Sequence, residues 1–201
     1  MRTKNTSTRR SDAFRLPGGE AAEFEGVLAR LPEFDGRPIR VDFQPALSVY
    51  KGRLVRAGGR GVPVHAASDI RRRRILLEEA LRGDAAELAR VLSHELFHFV
   101  WARMSNAERR SWEAVLQGEV RCGARGELGW PSEEKKGRLR PGDAKERTRR
   151  WREYVCESFC DTAAWHFNGR PEGAGALKPR FRRRREAWFR NFARAGRRMP
   201  I

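Results

Sequence analysis

The stretch Ser93–Trp101, SHELFHFVW, sets two histidines four residues apart with a glutamate between them: His94, Glu95, two apolar residues, His98. On an α-helix, positions i and i+4 share a face, with β-carbons about 5–6 Å apart. Imidazoles converging from there can bring their nitrogens to about 3.3 Å, the ligand spacing of a tetrahedral zinc ion with Zn–N bonds near 2.0–2.1 Å. Glu95 stands one step round the helix, beside such an ion and not on it. Its carboxylate can take a proton from zinc-bound water, whose pKa falls from 15.7 to about 7, and hand it to a leaving amine. Half of the chain's 4 histidines fall in this one pentapeptide. Without a metal, the same residues inside an apolar helix would need buried polar partners, which is costly. The expected cofactor is one Zn2+ per chain, held by His94 and His98.

Two histidines do not close a catalytic zinc site, which takes a third protein ligand and keeps its fourth position for water. The pattern resembles that of the HExxH zinc metallopeptidases, whose branches differ in the third ligand. The metzincin extension needs a glycine and a histidine where Trp101 and Met104 stand, and the SprT-like branch needs a nearby histidine, yet none occurs between His98 and His166. The gluzincin branch takes a glutamate from a later helix, commonly as ExxxD, with the aspartate hydrogen-bonding a zinc histidine from behind. The chain contains ESFCD, Glu157 to Asp161. The resemblance implies Glu157 as third ligand and Asp161 as the outer partner. Glu153 on the same stripe is the alternative ligand or a further outer partner. The likeness, closest to minimal gluzincins and ImmA/IrrE-like proteases, covers roughly residues 73–167.

It implies an α+β fold, with a small mixed sheet packed on a zincin-like HExxH helix and a second long helix carrying the third ligand. It also implies a zinc-dependent metallopeptidase acting on a protein or peptide substrate. Such an enzyme needs a donor for the tetrahedral oxyanion. Tyr154, one turn from Glu157, is the first candidate, with His65 and Tyr50 behind it; His166 points to the opposite side of its helix.

The elements that must position these residues follow from periodicity and caps. EFEGVLARL puts Phe24, Val27, Leu28 and Leu31 on one helical face, and PIRVDF, LSVYKGRLV, GVPVHA and RRILLEEAL read as strands, with AGGRG as a turn. RRILLEEAL, set beside the motif helix, is the strand expected to lie at a sheet edge and bind an extended substrate by strand addition. DAAE from Asp84 and SNAE from Ser105 have the form of capping boxes and open two helices. Residues 121–142, rich in Gly, Pro and charge, read as a long loop, and DAKERTRRWREYVCESFCDTAAWHF as one long helix ending near Asn168–Gly169. Cys156 and Cys160, flanking Glu157, read as small buried helix residues, with a thiolate ligand or redox switch as the lesser alternative.

With 201 residues, a net charge of +17 and 34% charged residues, the chain suits one modest core under a heavily solvated surface. The expected division is a basic flexible arm (1–19), a zincin-like catalytic domain (20–170) and a basic C-terminal helix or tail (171–201). The tail, KPRFRRRREAWFRNFARAGRR, is amphipathic. Its aromatic edge can dock on the domain, and its arginines, Arg182, Arg183, Arg184 and Arg185, can meet nucleic-acid phosphates. The alternative function is accordingly a basic nucleic-acid-associated regulatory protein with a structural or vestigial zinc site. No apolar run approaches the roughly 20 residues of a membrane span, no secretory signal opens the chain, and 3 cysteines are too few for a disulfide framework. The cytoplasm is the expected location.

Overall fold

The computed structural model describes residues 13–16, 21–50, 53–56, 61–169, 177–194 and 197–201; most of the expected basic arm and the AGGRG turn lie outside them. In chain order, β1 (Phe14–Arg15), α1 (Ala21–Leu28), β2 (Phe34–Asp35) and β3 (Ile39–Gln44) lead to β4 (Leu47–Tyr50), β5 (Arg53–Arg56), β6 (Val62–Pro63), β7 (Ala66–Asp69) and β8 (Arg74–Glu78). A 3-10 turn at Glu79–Gly83 enters α2 (Ala85–Arg103), which is followed by α3 (Asn106–Arg121) and α4 (Trp130–Gly137). Then come α5 (Asp143–Glu146), α6 (Arg149–Asn168), α7 (Pro179–Phe192) and β9 (Met199–Pro200). The fold is α+β, as expected.

The main sheet has the order β1-β3-β8-β7, parallel except for β7, which runs antiparallel to β8 at the edge. Ile39, Val41, Ile75 and Leu77 alternate with more exposed neighbours and are fully buried on its inner face. Phe24, Val27, Leu28 and Leu31, the predicted stripe of the first helix, are buried too. The expected edge position corrects: RILLE is an interior strand between β3 and β7, and the edge is Ala66–Asp69. AASD has too few large apolar residues to announce a strand. It forms because β8 offers it a ladder. Separately, β4 pairs with β5 and β6, and β2 pairs with β9 from the far end of the chain.

Helix α2 is buried almost all round, with Leu88, Leu92, Leu96, Phe97, Phe99 and Val100 inside, as a helix between a sheet and another helix must be. Asp84 caps it by accepting from the amides of Ala86 and Glu87, while the Glu87 carboxylate turns to Arg90 and leaves the box half made. The Ser105–Glu108 box is closed in both directions and turns the chain sharply from α2 into α3. The expected single helix from Asp143 is broken. The Asp143 carboxylate accepts from the Arg140 amide, the Thr148 hydroxyl and the Arg150 guanidinium, which folds the chain back at Arg147, at φ 50°. Helix α6 starts afresh with Thr148 as its cap. The expected 121–142 loop also holds a helix, α4, with a proline in its first turn, where proline's missing amide costs nothing.

The tail packs on the same core as the rest. Phe159 of α6 lies 5.8 Å from Phe97 of α2 and 5.1 Å from Phe189 of α7, ring centre to ring centre, with Trp112 of α3 against both Phe159 and Phe189. Full burial of each such ring contributes about 1.5–3 kcal/mol. The aromatic edge of the tail therefore docks, whereas its arginines divide. Arg183 and Arg184 are exposed and Arg182 half-buried, but Arg185 is fully buried between the Glu119 and Glu127 carboxylates and presents nothing to a phosphate. No helix among the described residues is long and apolar enough to cross a membrane.

Candidate metal centre

Helices α2 and α6 bring the two motifs face to face. His94 Nε2 and His98 Nε2 are 3.2 Å apart, and Glu157 Oε2 lies 3.2 Å from the first and 3.7 Å from the second. These three edges bracket the roughly 3.3 Å separation of ligands in a tetrahedral zinc site. Behind His94, the other ring nitrogen meets Asp161: Nδ1 to Oδ1 is 2.8 Å, and Asp161 Oδ2 accepts from the Ser132 amide at 2.9 Å. Ser132 opens α4, so the helix missed by sequence reading fixes the carboxylate that orients a histidine. The approach is close enough to dictate a residue type: a β-carbon on Gly129 would stand 2.3 Å from the Asp161 carboxylate.

His98 is held differently. Its Nδ1 lies 3.4 Å from Cys160 Sγ and 3.5 Å from Cys156 Sγ, so two sulfurs occupy the place that a carboxylate fills behind His94. His94, His98 and Cys160 could hold a metal ion, their ligand atoms lying within 4.8 Å of one another. That set and the Glu157 triangle use His98 differently: Cys160 is on the Nδ1 side, while His94 Nε2 and Glu157 are on the Nε2 side. One ion can engage one side only. The near-equilateral nitrogen and oxygen triangle is the better match to tetrahedral geometry, and Asp161 already commits His94 Nδ1 away from it. The contact of Cys156 and Cys160 with His98 is not legible in the spacing of α6 alone, because it forms only where α2 crosses α6.

Electrostatics favour a cation here. Burial opposes a charged His94, but Asp161, with Glu157 and Glu95 adding to it, outweighs burial and holds its pKa well above the ordinary histidine value. For His98, burial is outweighed by the Cys156 sulfur and Glu157, and the pKa rises to about 9. Burial would raise Glu157, yet the two histidines pull it down to about 2. Cys156 falls to about 6, first through its hydrogen bond with Cys160 and then, against burial, through His98. Carboxylates and sulfur thus surround two imidazoles in a buried cleft, a donor set that fits a divalent metal ion.

Glu95 is half-buried, and Ser68 Oγ of the edge strand β7 lies 2.5 Å from its Oε2 and 2.9 Å from its carbonyl oxygen. Glu95 lines two cavities. One, of about 490 Å³, runs along Pro63–Ala66 to Val91, His94 and Trp130; the other, of about 270 Å³, includes Ser68, His98, Trp101 and Cys156. Ser68 was not foreseen, since nothing in AASD marks it. The remaining candidates separate. The Tyr154 hydroxyl donates to Glu127 at 2.6 Å in the core and lines neither cavity at Glu95, so it is not poised as an oxyanion donor. Burial, then Glu127, pushes its pKa well up. His65 lines the larger cavity with its Nδ1 2.8 Å from Glu78, and Tyr50 sits on β4 in a different sheet. Glu153 is at the surface, bridged to Arg149 and Lys135, and does not join the histidines. His166 packs its ring on Phe167 and Phe189. Compared with known proteins, the chain matches no family model, no curated protein and no solved structure.

Proposed function

We propose that the chain is a zinc-dependent metallopeptidase in which His94, His98 and Glu157 hold the metal and Glu95 is the general base and acid. The observation that carries this reading is the triangle of 3.2, 3.2 and 3.7 Å among the two Nε2 atoms and Glu157 Oε2, with Glu95 beside it on an open cleft. Zinc bound there supplies Lewis acidity, which polarises a peptide carbonyl and makes water nucleophilic near neutral pH. The chain's own residues do the rest. The Glu95 carboxylate accepts the water proton and returns it to the departing amine, while Ser68 fixes its orientation. His65, which lines the same cavity, is the remaining candidate donor for a developing oxyanion. β7, the edge strand among the described residues, offers an extended peptide a strand to pair with, directly beside Glu95.

A metal site that is merely structural has no use for a base at the cleft, so Glu95 favours catalysis over the nucleic-acid-associated alternative, for which the withdrawal of Arg185 into the core removes one of its four arginines. Elemental analysis of protein purified without a histidine tag, with Glu95→Gln assayed beside it, tests the reading. About one zinc per chain, lost in His94→Ala, and a Glu95→Gln variant that keeps zinc but hydrolyses nothing are the expected results. A chain that takes up no zinc, or Glu95→Gln at parental turnover, refutes it.

A further inference from the structure

On the far side of Trp101 from the cleft lies a cavity of about 380 Å³ that the proposed reaction leaves unused. Its wall is made largely by arginines: Arg109 and Arg110 from α3, Arg147 from the turn before α6 and Arg152 from α6 itself. One carboxylate lines it, that of Glu113, and it is already taken. Glu113 Oε1 accepts from Arg147 at 2.9 Å and from the Trp151 indole at 2.6 Å. The other three guanidiniums have no acidic partner among the described residues. Arg109 donates to the carbonyls of Trp101 and Ala102, Arg152 to that of Arg147, and Arg110, which is exposed, to none among the described residues. Carbonyl contacts position a guanidinium without neutralising it, so three positive charges converge on the cavity with no local compensation.

The cavity adjoins the metal cleft across Trp101. Trp101 lines both, and on α6 Val155 faces the arginine cavity while the next residue, Cys156, faces the cleft with Glu95 and His98. The edge strand gives the direction. Ala66 borders the cavity walled by Trp130, Ser68 and Ile70 border the cleft at Glu95, and Trp101 stands beyond them at the mouth of the arginine cavity. An extended chain laid along β7 would cross an apolar recess, the site of Glu95, and then the arginines.

We propose that this cavity is a specificity subsite for an anionic side chain of the peptide substrate, an aspartate, a glutamate or a phosphorylated residue, on the side of the scissile bond remote from Trp130. The proposal rests on the peptidase reading for what it calls a substrate, but the arginine cavity itself needs no metal to bind. Guanidinium forks take carboxylates and phosphates through paired, charge-assisted hydrogen bonds, and a recess beside a low-dielectric indole strengthens them.

Fluorescence anisotropy on the full chain carrying Glu95→Gln, which binds without cleaving, tests it. The probes are short peptides with Glu, phosphoserine or Gln placed at successive positions. The expected result is a preference of about tenfold for the acidic peptide over its Gln counterpart at one position, the return from a charge-assisted contact. Arg110→Ala with Arg152→Ala should abolish that preference without moving the melting temperature. Arg183→Ala, which removes the same charge from α7, should leave the ratio intact. A preference for Glu over phosphoserine, or the reverse, identifies the source of the anion. Equal affinity for acidic and amide peptides overturns the proposal, as does a preference that survives the double substitution or that Arg183→Ala removes equally. So does a single-stranded RNA probe that binds more tightly than every peptide and is lost with the same double substitution. Zinc content and turnover of the unsubstituted protein are read separately: if they fail while the acidic preference holds, the peptidase reading falls and the anion subsite stands.

Discussion

Replacing Arg185 by methionine should cost the protein a large share of its stability, although the position sits in a run of four arginines that looks like solvent-exposed charge. Arg185 is fully buried, and its guanidinium donates to both Glu119 and Glu127, which are also buried. Glu127 in turn accepts from the Tyr154 hydroxyl and from Lys136. Burial raises the Glu127 pKa, but Arg185 and Lys136 overcome it and leave the group at about 2, against an ordinary 4.5. Holding a carboxylate down by that much is worth roughly 3 kcal/mol, at the lower end of the roughly 3–5 kcal/mol typical of breaking a buried ion pair from one side. For a chain of this size, Arg185→Met should lower the melting temperature by about 6–20 °C. The pH dependence carries a sign. A depressed carboxylate stabilises the fold above its unfolded pKa, and that stabilisation is lost as pH falls through the folded value, so the deficit of the variant should be largest above about pH 5 and shrink toward pH 2. Urea titrations with chelator present, at several pH values, measure this free of metal linkage. Adding Glu119→Gln and Glu127→Gln to Arg185→Met should recover part of the loss. A deficit below about 1 kcal/mol at pH 7, or one that grows on acidification, would refute the reasoning.

Two further expectations concern the metal centre. Glu157→Ala should weaken zinc binding more than Asp161→Asn, which should cost about 10–100-fold because it acts only through His94; competition with a chromophoric chelator measures both, and equal losses would make Asp161 more than an orienting group. Cobalt-loaded protein should show no thiolate-to-cobalt charge-transfer band if Glu157 and both Nε2 atoms are the ligands; a band that disappears in Cys160→Ser would move the metal to the sulfur side of His98.

Much of this arrangement was legible in the sequence wherever a single element carried the signal. The four-residue spacing of His94 and His98, the caps at Asp84 and Ser105, and the shared face of Glu157 and Asp161 are properties of one helix each, and local periodicity records them. What stayed hidden depends on two elements meeting. AASD becomes an edge strand only because β8 offers it a ladder, and Ser68 matters only because that edge lies against α2. The composition of WPSEEKKG suggests loop, and only its contact with Asp161 gives it a role. Tyr154 was placed by its distance along α6 from Glu157, but the rotation of the helix sends its hydroxyl to Glu127 instead. The burial of Arg185 cannot be told from that of Arg184 without knowing where Glu119 and Glu127 lie.

The pairing of β2 with β9 bears on the order of assembly. Phe34 is matched with Met199, and both Met199 and Ile201 are buried in the core that backs α2. Joining them means closing a loop that includes every residue of the metal centre, and contacts so remote in sequence are the slow, entropically expensive ones. During synthesis, α2 and α6 would both emerge before the strand that finishes their support. A nascent chain should therefore carry its histidines and Glu157 in a loosened hydrophobic face until residues 199–201 arrive. On the proposed peptidase reading, competence for cleavage would then be reached late in folding, which limits the interval in which a half-made chain could act on its neighbours or on itself.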